Sequence, residues 1–216
     1  MKKNLYFILI IILICSCQFT VKSGKNNLGI MPEVKAQYFE NIYVVDEKVC
    51  ETKELPVTRF AVEYPSIFEV ETPNDKQNHI IVKKIIDNIV TEEFTIGNST
   101  LNLKNENLAL ELLENLSKNL KQQFPDLEIV SVGKKNLNGV MTYLFEGKVD
   151  YSDFIDQGYN GIYKVMCLLP IPKQNPDVNA VLITFIANEQ SDIKEFSDFA
   201  TNGMIGQVYK TFRYIE

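Results

Sequence analysis

The feature that most constrains the fold is one strongly amphipathic helical segment set among segments with strand periodicity. Within residues 105–124 a leucine recurs at every fourth position, namely Leu108, Leu112, Leu116 and Leu120. Ala109 and Leu113 widen this apolar stripe, and the charged side chains fall outside it. Asn105 can cap the first turn, and Pro125 stops the pattern. The segment is predicted to be a helix whose apolar face lies on a sheet.

Segments typical of strands stand on both sides of this helix. They cover residues 38–46, 58–72, 79–86, 91–97, 127–133, 139–149, 161–171 and 179–188. Pro65 and Ser66 divide the second segment into two short strands around a tight corner. Asn138-Gly139 marks a hairpin, and the last two segments are nearly continuously apolar, as in central strands. Short connections between consecutive strands predict an antiparallel meander.

The C-terminal region carries a second helical pattern that begins at Ser191. We expect a helix to about residue 202, with an extension to about residue 209 left open. Asn202-Gly203 is a good helix stop, and "VYKTFRYI" alternates as a strand could.

This order of elements resembles the PsbP-like superfamily, which includes the DcrB-like and LpqN-like bacterial lipoproteins, over residues 57–213. The corner "YPSIF" at residues 64–68 is similar to an early family motif, and Thr211-Phe212 to its terminal "SF". The resemblance implies an α+β fold, an α/β/α sandwich whose mainly antiparallel sheet has six to seven strands. It also implies a binding, assembly or chaperone-like role.

The N-terminus resembles a bacterial lipoprotein signal. Lys2 and Lys3 precede a short apolar run, and Ser16 stands directly before Cys17 with Ile14 three places back. The resemblance implies cleavage before Cys17, whose sulfur and amine then carry acyl chains such as palmitate. The expected organisation is a signal peptide at 1–16, an acylated cysteine and flexible tether at 17–35, and one globular domain at 36–216. An uncleaved anchor with two incidental cysteines is the alternative.

The residue after Cys17 indicates where the protein is located, and the net charge limits what it can bind. Gln18 is not the Asp that resembles an inner-membrane retention signal, which favours the outer membrane and leaves its face open. The chain has 28 acidic against 22 basic side chains, so charge will not draw it to nucleic acid or anionic lipid. We therefore expect a lipid-anchored protein of the cell envelope, attached to the membrane through its acyl chains.

The sequence offers little for catalysis, and we expect no enzyme activity, metal or cofactor. His79 is the only histidine, no "GxSxG" motif accompanies it, and we expect an ordinary surface or strand-edge residue. Glu92 and Glu93 are adjacent, so they point to opposite faces of a strand and form no glycosidase pair. Whether Cys50 and Cys167 form a disulfide is left open.

The loop at residues 150–161, "DYSDFIDQGYNG", is the segment that suggests binding. Exposed aromatic and acidic side chains there could anchor a protein partner, and the residues concerned are Tyr151, Asp153, Phe154, Asp156 and Tyr159. A weak calcium site and a solvated loop with its aromatics folded onto the sheet are the alternatives. The loop at residues 170–179 is expected to flank the same end of the sheet.

Two functions follow from these patterns. The first is a lipid-anchored envelope module for binding or assembly, without catalytic activity, that docks another envelope protein. The alternative is a carrier or chaperone for an apolar ligand or segment held between sheet and helix, which a large apolar pocket would support.

Overall fold

A computed structural model describes residues 39–73, 78–137, 139–173, 176–200 and 203–215. The predicted signal peptide, Cys17, the whole tether and Asn138 lie outside these ranges. The described residues form ten strands: β1 (Asn41–Val45), β2 (Phe60–Tyr64), β3 (Glu69–Glu71), β4 (Asn78–Ile86), β5 (Ile89–Asn98), β6 (Glu128–Leu137), β7 (Val140–Asp150), β8 (Ile162–Pro170), β9 (Val181–Asn188) and β10 (Arg213–Tyr214). They also form three α-helices: α1 (Glu47–Lys53), α2 (Ala109–Gln123) and α3 (Gly203–Thr211).

The larger sheet has seven strands in the order β3-β4-β5-β9-β8-β7-β6, and every neighbouring pair is antiparallel. The four strands β6 to β9 follow one another in space as in sequence, which confirms the predicted meander. β8 and β9 lie inside the sheet, and nearly all their side chains are buried. Their apolar sequences are explained by layers that cover both faces.

The layers on the two faces differ. α2 covers one face, where a buried cluster joins its leucines to β7, β8 and β9. The other face carries α1, α3 and a small antiparallel sheet in the order β1-β2-β10. The corner at Pro65, where the Phe68 N–H donates to the Pro65 carbonyl at 3.3 Å, takes the chain from this small sheet into the larger one. The predicted α/β/α sandwich with a mainly antiparallel sheet is therefore confirmed, with a second sheet added to one outer layer.

The predicted apolar stripe is confirmed within α2 and fails only at its first leucine. Leu113, Leu116 and Leu120 are buried as expected, whereas Leu108 is 45% exposed. The reason is that Leu103–Leu108 form a 3-10 segment before α2, and Asn105 inside it has non-helical backbone angles. The residue that caps this 3-10 segment is Asn102, not Asn105 as predicted. The side chain of each of these two residues accepts a hydrogen bond from the backbone of the other. Because a 3-10 helix has fewer residues per turn than an α-helix, Leu108 does not lie on the same face as the buried leucines of α2.

The predicted helix from Ser191 to about residue 202 is wrong. The described residues there form turns and a 3-10 segment at Phe196–Ala200, and the α-helix is the later α3. Asp198 Oδ2 accepts from the Lys194 and Glu195 amides, which closes a turn instead of starting a helix. Gly203 has a φ of 69°, a left-handed conformation that separates the 3-10 segment from α3. The glycine thus stands at a helix start, where the pattern indicated a stop.

The short helix α1 was not predicted, because its sequence "EKVCETK" has no apolar period. Asp46 caps it by accepting from the Val49 amide at 2.9 Å, and Cys50 is its buried residue. Cys50 belongs to the core on the α3 side of the sheet, whereas Cys167 of β8 belongs to the core on the α2 side. Both cysteines are free thiols, so the open question of a disulfide is answered in the negative.

Candidate functional site

The aromatic side chains of the predicted binding loop point into the protein. Tyr151 is 3% exposed and Tyr159 is 8% exposed, and Phe154 is half-buried. Tyr151 packs edge-on against Phe124, which ends α2, with ring centroids 5.2 Å apart. Tyr163 meets Tyr151 at the same distance from the other side. The expectation of exposed aromatics is therefore wrong for Tyr151 and Tyr159. The alternative, a loop whose aromatics fold onto the sheet, is confirmed, because burying these rings completes the core under α2.

The acidic residues of this loop do lie on the surface. Asp153 and Asp156 are exposed, on a 3-10 segment at Ser152–Gln157. Gly158 ends that segment with a φ of 84°, and its carbonyl accepts from the Val90 amide at 2.7 Å. A role for Asp153 and Asp156 in binding a partner stays a prediction.

A buried carboxyl group lies beneath the loop. The Tyr159 hydroxyl donates to Glu93 Oε2 at 2.5 Å, and the Thr95 hydroxyl donates to Glu93 Oε1 at 3.1 Å. Burial raises the pKa of Glu93, against the opposing effect of nearby Lys83. Burial also raises the pKa of Tyr159 well above its ordinary value, so its hydroxyl remains a hydrogen-bond donor. These bonds fix the loop on the sheet.

Glu92 and Glu93 point to opposite faces of β5, as predicted. Glu92 Oε2 accepts from the backbone amide of Ile205 in α3 at 3.1 Å, on the face away from Tyr159. Its other oxygen accepts from Lys84 at 3.0 Å. Glu92 and Glu93 therefore each accept stabilising hydrogen bonds, but on opposite faces of the sheet.

His79 is not the surface residue that the sequence suggested. Its side chain is fully buried, its ring stands edge-on against Phe60, and Nε2 lies 2.7 Å from Asn98 Oδ1. A break in the β4 ladder between Asn78 and Ile80 occurs at this residue. Its contacts place it in the core between the two sheets.

A cleft of about 610 Å³ lies at one end of the larger sheet. This volume is in the range of about 300–1,000 Å³ that small-molecule sites occupy. The cleft lies where the β6–β7 hairpin, the segment after β8 and the C-terminal residues meet. It is lined by Arg59, Leu137, Val140, Pro170, Ile171, Pro172, Lys173, Val178, Tyr209, Phe212, Arg213, Tyr214 and Ile215.

The base of the cleft is apolar and its aromatic groups are uncharged. Ile171, Val178 and Tyr209 are almost completely buried. Burial raises the pKa of Tyr209 to about 12, which keeps its phenol neutral at physiological pH. The Tyr214 hydroxyl accepts from the Val181 amide and donates to the Pro170 carbonyl at 2.6 Å, and burial raises its pKa too.

Hydrogen bonds hold the walls of the cleft in place. The Asn179 amide donates to the Val57 carbonyl at 2.8 Å, and the Thr58 hydroxyl donates to the Asn179 carbonyl at 3.1 Å. The Ile215 amide donates to the Arg59 carbonyl at 3.2 Å, which extends the pairing of β10 with β2. The cleft is therefore built before any ligand arrives, which lowers the ordering cost of binding.

Three cationic side chains stand at the cleft, and all are more exposed than its base. Lys173 is exposed and donates to the Gly139 carbonyl at 2.7 Å. Arg213 donates through Nη1 to Glu63 at 2.9 Å, and Arg59 donates through Nη2 to Glu47. No Asp or Glu is among the described residues that line the cleft.

Sequence reasoning did not find this site. It did single out the loop at residues 170–179, which forms one wall, but placed that loop beside the loop at residues 150–161. The structure puts them at opposite ends of the sheet, because β8 runs from one loop to the other. The cationic residues are single charges in separate segments, so no local pattern could have indicated that they meet.

The described residues contain neither a metal-binding cluster nor a membrane-spanning helix. No group of three or more His, Cys, Asp or Glu among them could hold a metal ion. In the same part of the chain, no helix has the length and apolar character needed to span a membrane.

Comparison with known proteins gives similarity in structure only. No protein-family model and no curated protein matches the chain. The solution structure of cyanobacterial PsbP (CyanoP) from Synechocystis sp. PCC 6803 is similar over 87% of this chain and 99% of its own length, with 12% identity and a TM-score of 0.46. A crystal structure from Bacteroides thetaiotaomicron VPI-5482 covers 73% of this chain and 45% of its own, at 14% identity and a TM-score of 0.42.

A third similar structure is the protein of unknown function PA94 from Pseudomonas aeruginosa. It covers 72% of this chain and 92% of its own length, with 13% identity and a TM-score of 0.41. These likenesses carry no argument about activity or partners.

Proposed function

We propose that this chain is a lipid-anchored protein of the cell envelope that binds an apolar ligand in the cleft at the β6–β7 end of its sheet. The observation that carries this proposal is the cleft itself, a space of about 610 Å³ lined mainly by apolar residues. The sequence around Cys17 supports the anchor, with its acyl chains in the outer membrane. The domain would act as a carrier, a PsbP-like lipoprotein without catalytic activity.

The cleft favours this function over protein docking through the loop at residues 150–161. The docking hypothesis rested on exposed aromatics, and Tyr151 and Tyr159 are core residues. A ligand in the cleft would bury the accessible apolar surface of half-buried lining residues such as Val140 and Phe212, with a gain of about 0.8 kcal/mol per buried methylene group.

The proposal can be tested by photolabelling the full acylated chain in a fixed amount of non-ionic detergent. The probe is dodecanol with a diazirine in its hydrocarbon chain, and the readout is the intact mass after irradiation. We expect saturable addition of one probe per chain. Val140→Trp should reduce the labelling several-fold, because Val140 is a half-buried lining residue and the larger ring fills the cleft.

The matched control is Val130→Trp on the neighbouring strand β6. Val130 is 46% exposed and does not line the cleft, so this change should leave labelling as in the native chain. Labelling that does not saturate, or that is the same in both variants, would overturn the proposal.

A further inference from the structure

We propose that the ligand of the cleft is an amphiphile with an anionic head group, a carboxylate or a phosphate, on a hydrocarbon chain. This inference rests on the proposed function, since it names the chemical class that the same cleft takes. Its basis is the composition of the lining. Arg59, Lys173 and Arg213 contribute three positive charges, while the chain as a whole carries a net charge of −6.

The cations can reach a ligand although two of them are in ion pairs. Within the described chain, Arg59 bonds through Nη2 and Arg213 through Nη1, whereas a guanidinium has five N–H donors in all. Their carboxylate partners, Glu47 and Glu63, do not line the cleft. The Lys173 ammonium has three donors, of which one serves the Gly139 carbonyl.

The gradient of burial sets the orientation of the ligand. Lys173 is exposed, the Arg213 side chain is 48% exposed and that of Arg59 is 26% exposed. The apolar lining that a ligand can touch consists of half-buried side chains such as Val140 and Phe212. A hydrocarbon chain therefore lies against these side chains, and a negative head group stays at the solvent side among the cations. A charge beside apolar walls is attracted more strongly than one in open water.

The uncharged side chains that line the cleft are also compatible with an anionic head group. The Tyr209 phenol is neutral, because burial raises its pKa to about 12, so it does not repel an anion. Arg59 and Arg213 are each paired with a carboxylate, so the Lys173 ammonium would repel a cationic head group most strongly, and no carboxylate among the described lining residues would attract one. A neutral head group would gain the apolar contacts without the ionic ones.

The test is competition against the diazirine-bearing dodecanol on the full acylated chain. The competitors are dodecanoate, dodecyl phosphate, dodecanol and dodecyltrimethylammonium, in the same detergent. We expect the anions to displace the label at concentrations about tenfold lower than dodecanol does, and the ammonium compound to be the weakest. Preference for dodecanoate alone would indicate a fatty acid, and preference for dodecyl phosphate alone a phospholipid head group; each supports the inference.

Variants separate the ionic contribution from folding. Lys173→Gln should reduce the anion preference to about threefold, and Lys173→Arg should preserve it. The control Lys118→Gln changes an exposed lysine of α2 on the opposite face and should leave the preference unchanged. Equal displacement by all four competitors would overturn the inference and leave the apolar cleft in place, whereas a label that never saturates would contradict the proposed function instead.

Discussion

At the scale of single residues, burial determines what the polar side chains of this protein do. Glu93 shows this most clearly, because it lies in the core with hydrogen bonds from Tyr159 and Thr95. A buried carboxyl group resists ionisation, since the charged form loses its hydration. Its pKa is raised above the ordinary value of 4.5. The folded chain therefore holds this proton more tightly than the unfolded chain does.

This linkage predicts a pH dependence of stability. A raised folded-state pKa gives stability that is complete below the unfolded pKa, near 4.5, and is lost as pH rises through the folded-state pKa. Glutamine has no proton to lose, so the melting temperature of Glu93→Gln relative to the native chain should increase with rising pH. Circular dichroism melts from about pH 4 to about pH 8 measure this difference.

The exposed acid Glu111 of α2 provides the control for that series. Glu111→Gln makes the same chemical change at the surface, where a substitution alters stability by no more than about 0.5 kcal/mol. Melting curves of Glu93→Gln and the native chain that stay parallel over the whole pH range would contradict the account of Glu93.

The opposite orientations of Glu92 and Glu93 could be predicted from the sequence, because strand geometry alone decides them. The burial of Tyr151, Tyr159 and His79 could not. At least one neighbour of each in the sequence is polar, and each is buried by a contact with a residue distant in the chain: Tyr151 with Phe124, Tyr159 with Glu93 and His79 with Phe60. A polar local sequence therefore gave the wrong exposure.

At the scale of elements, tertiary packing selects which side of a helix is buried. Leu113 of α2 is completely buried, whereas Leu110 on the same helix is 39% exposed. Removing a buried leucine side chain leaves a cavity as well as losing apolar contacts. The two residues therefore form a matched pair within one helix.

We expect Leu113→Ala to lower the free energy of unfolding by about 2–5 kcal/mol. Leu110→Ala, which removes the same atoms from an exposed site, should lower it by about 0.5 kcal/mol or less. Equilibrium unfolding in urea measures both values. Similar losses in the two variants would mean that α2 does not lie on the sheet as described.

The strands were more predictable than the helices because their signals are local. Alternation, the corner at Pro65 and the apolar runs of β8 and β9 each lie within one element. The helix boundaries depend on interactions that the spacing of apolar residues does not reveal. Asn105 breaks the helical phase before α2, and Gly203 approaches Glu92 and Ile193 so closely that a Cβ atom would meet them at 3.2 and 2.8 Å.

At the scale of the whole molecule, the cleft exists because four distant segments end at the same place. The segment before β2, the β6–β7 hairpin, the segment after β8 and the C-terminal residues each contribute lining side chains. The antiparallel order explains how the sheet strands bring their ends together. Each segment is unremarkable by itself, so the sequence predicted the scaffold and not the site.

Binding of an anionic amphiphile at this end of the sheet can be measured most directly by irradiating the full chain with diazirine-bearing dodecanoate and mapping the modified residues by peptide mass spectrometry. We expect labels within residues 137–140, 170–173 and 209–215, and their loss on Val140→Trp. Labels in α2 or in the loop at residues 150–161 would contradict it, since they would place the ligand on the opposite face or at the opposite end of the sheet.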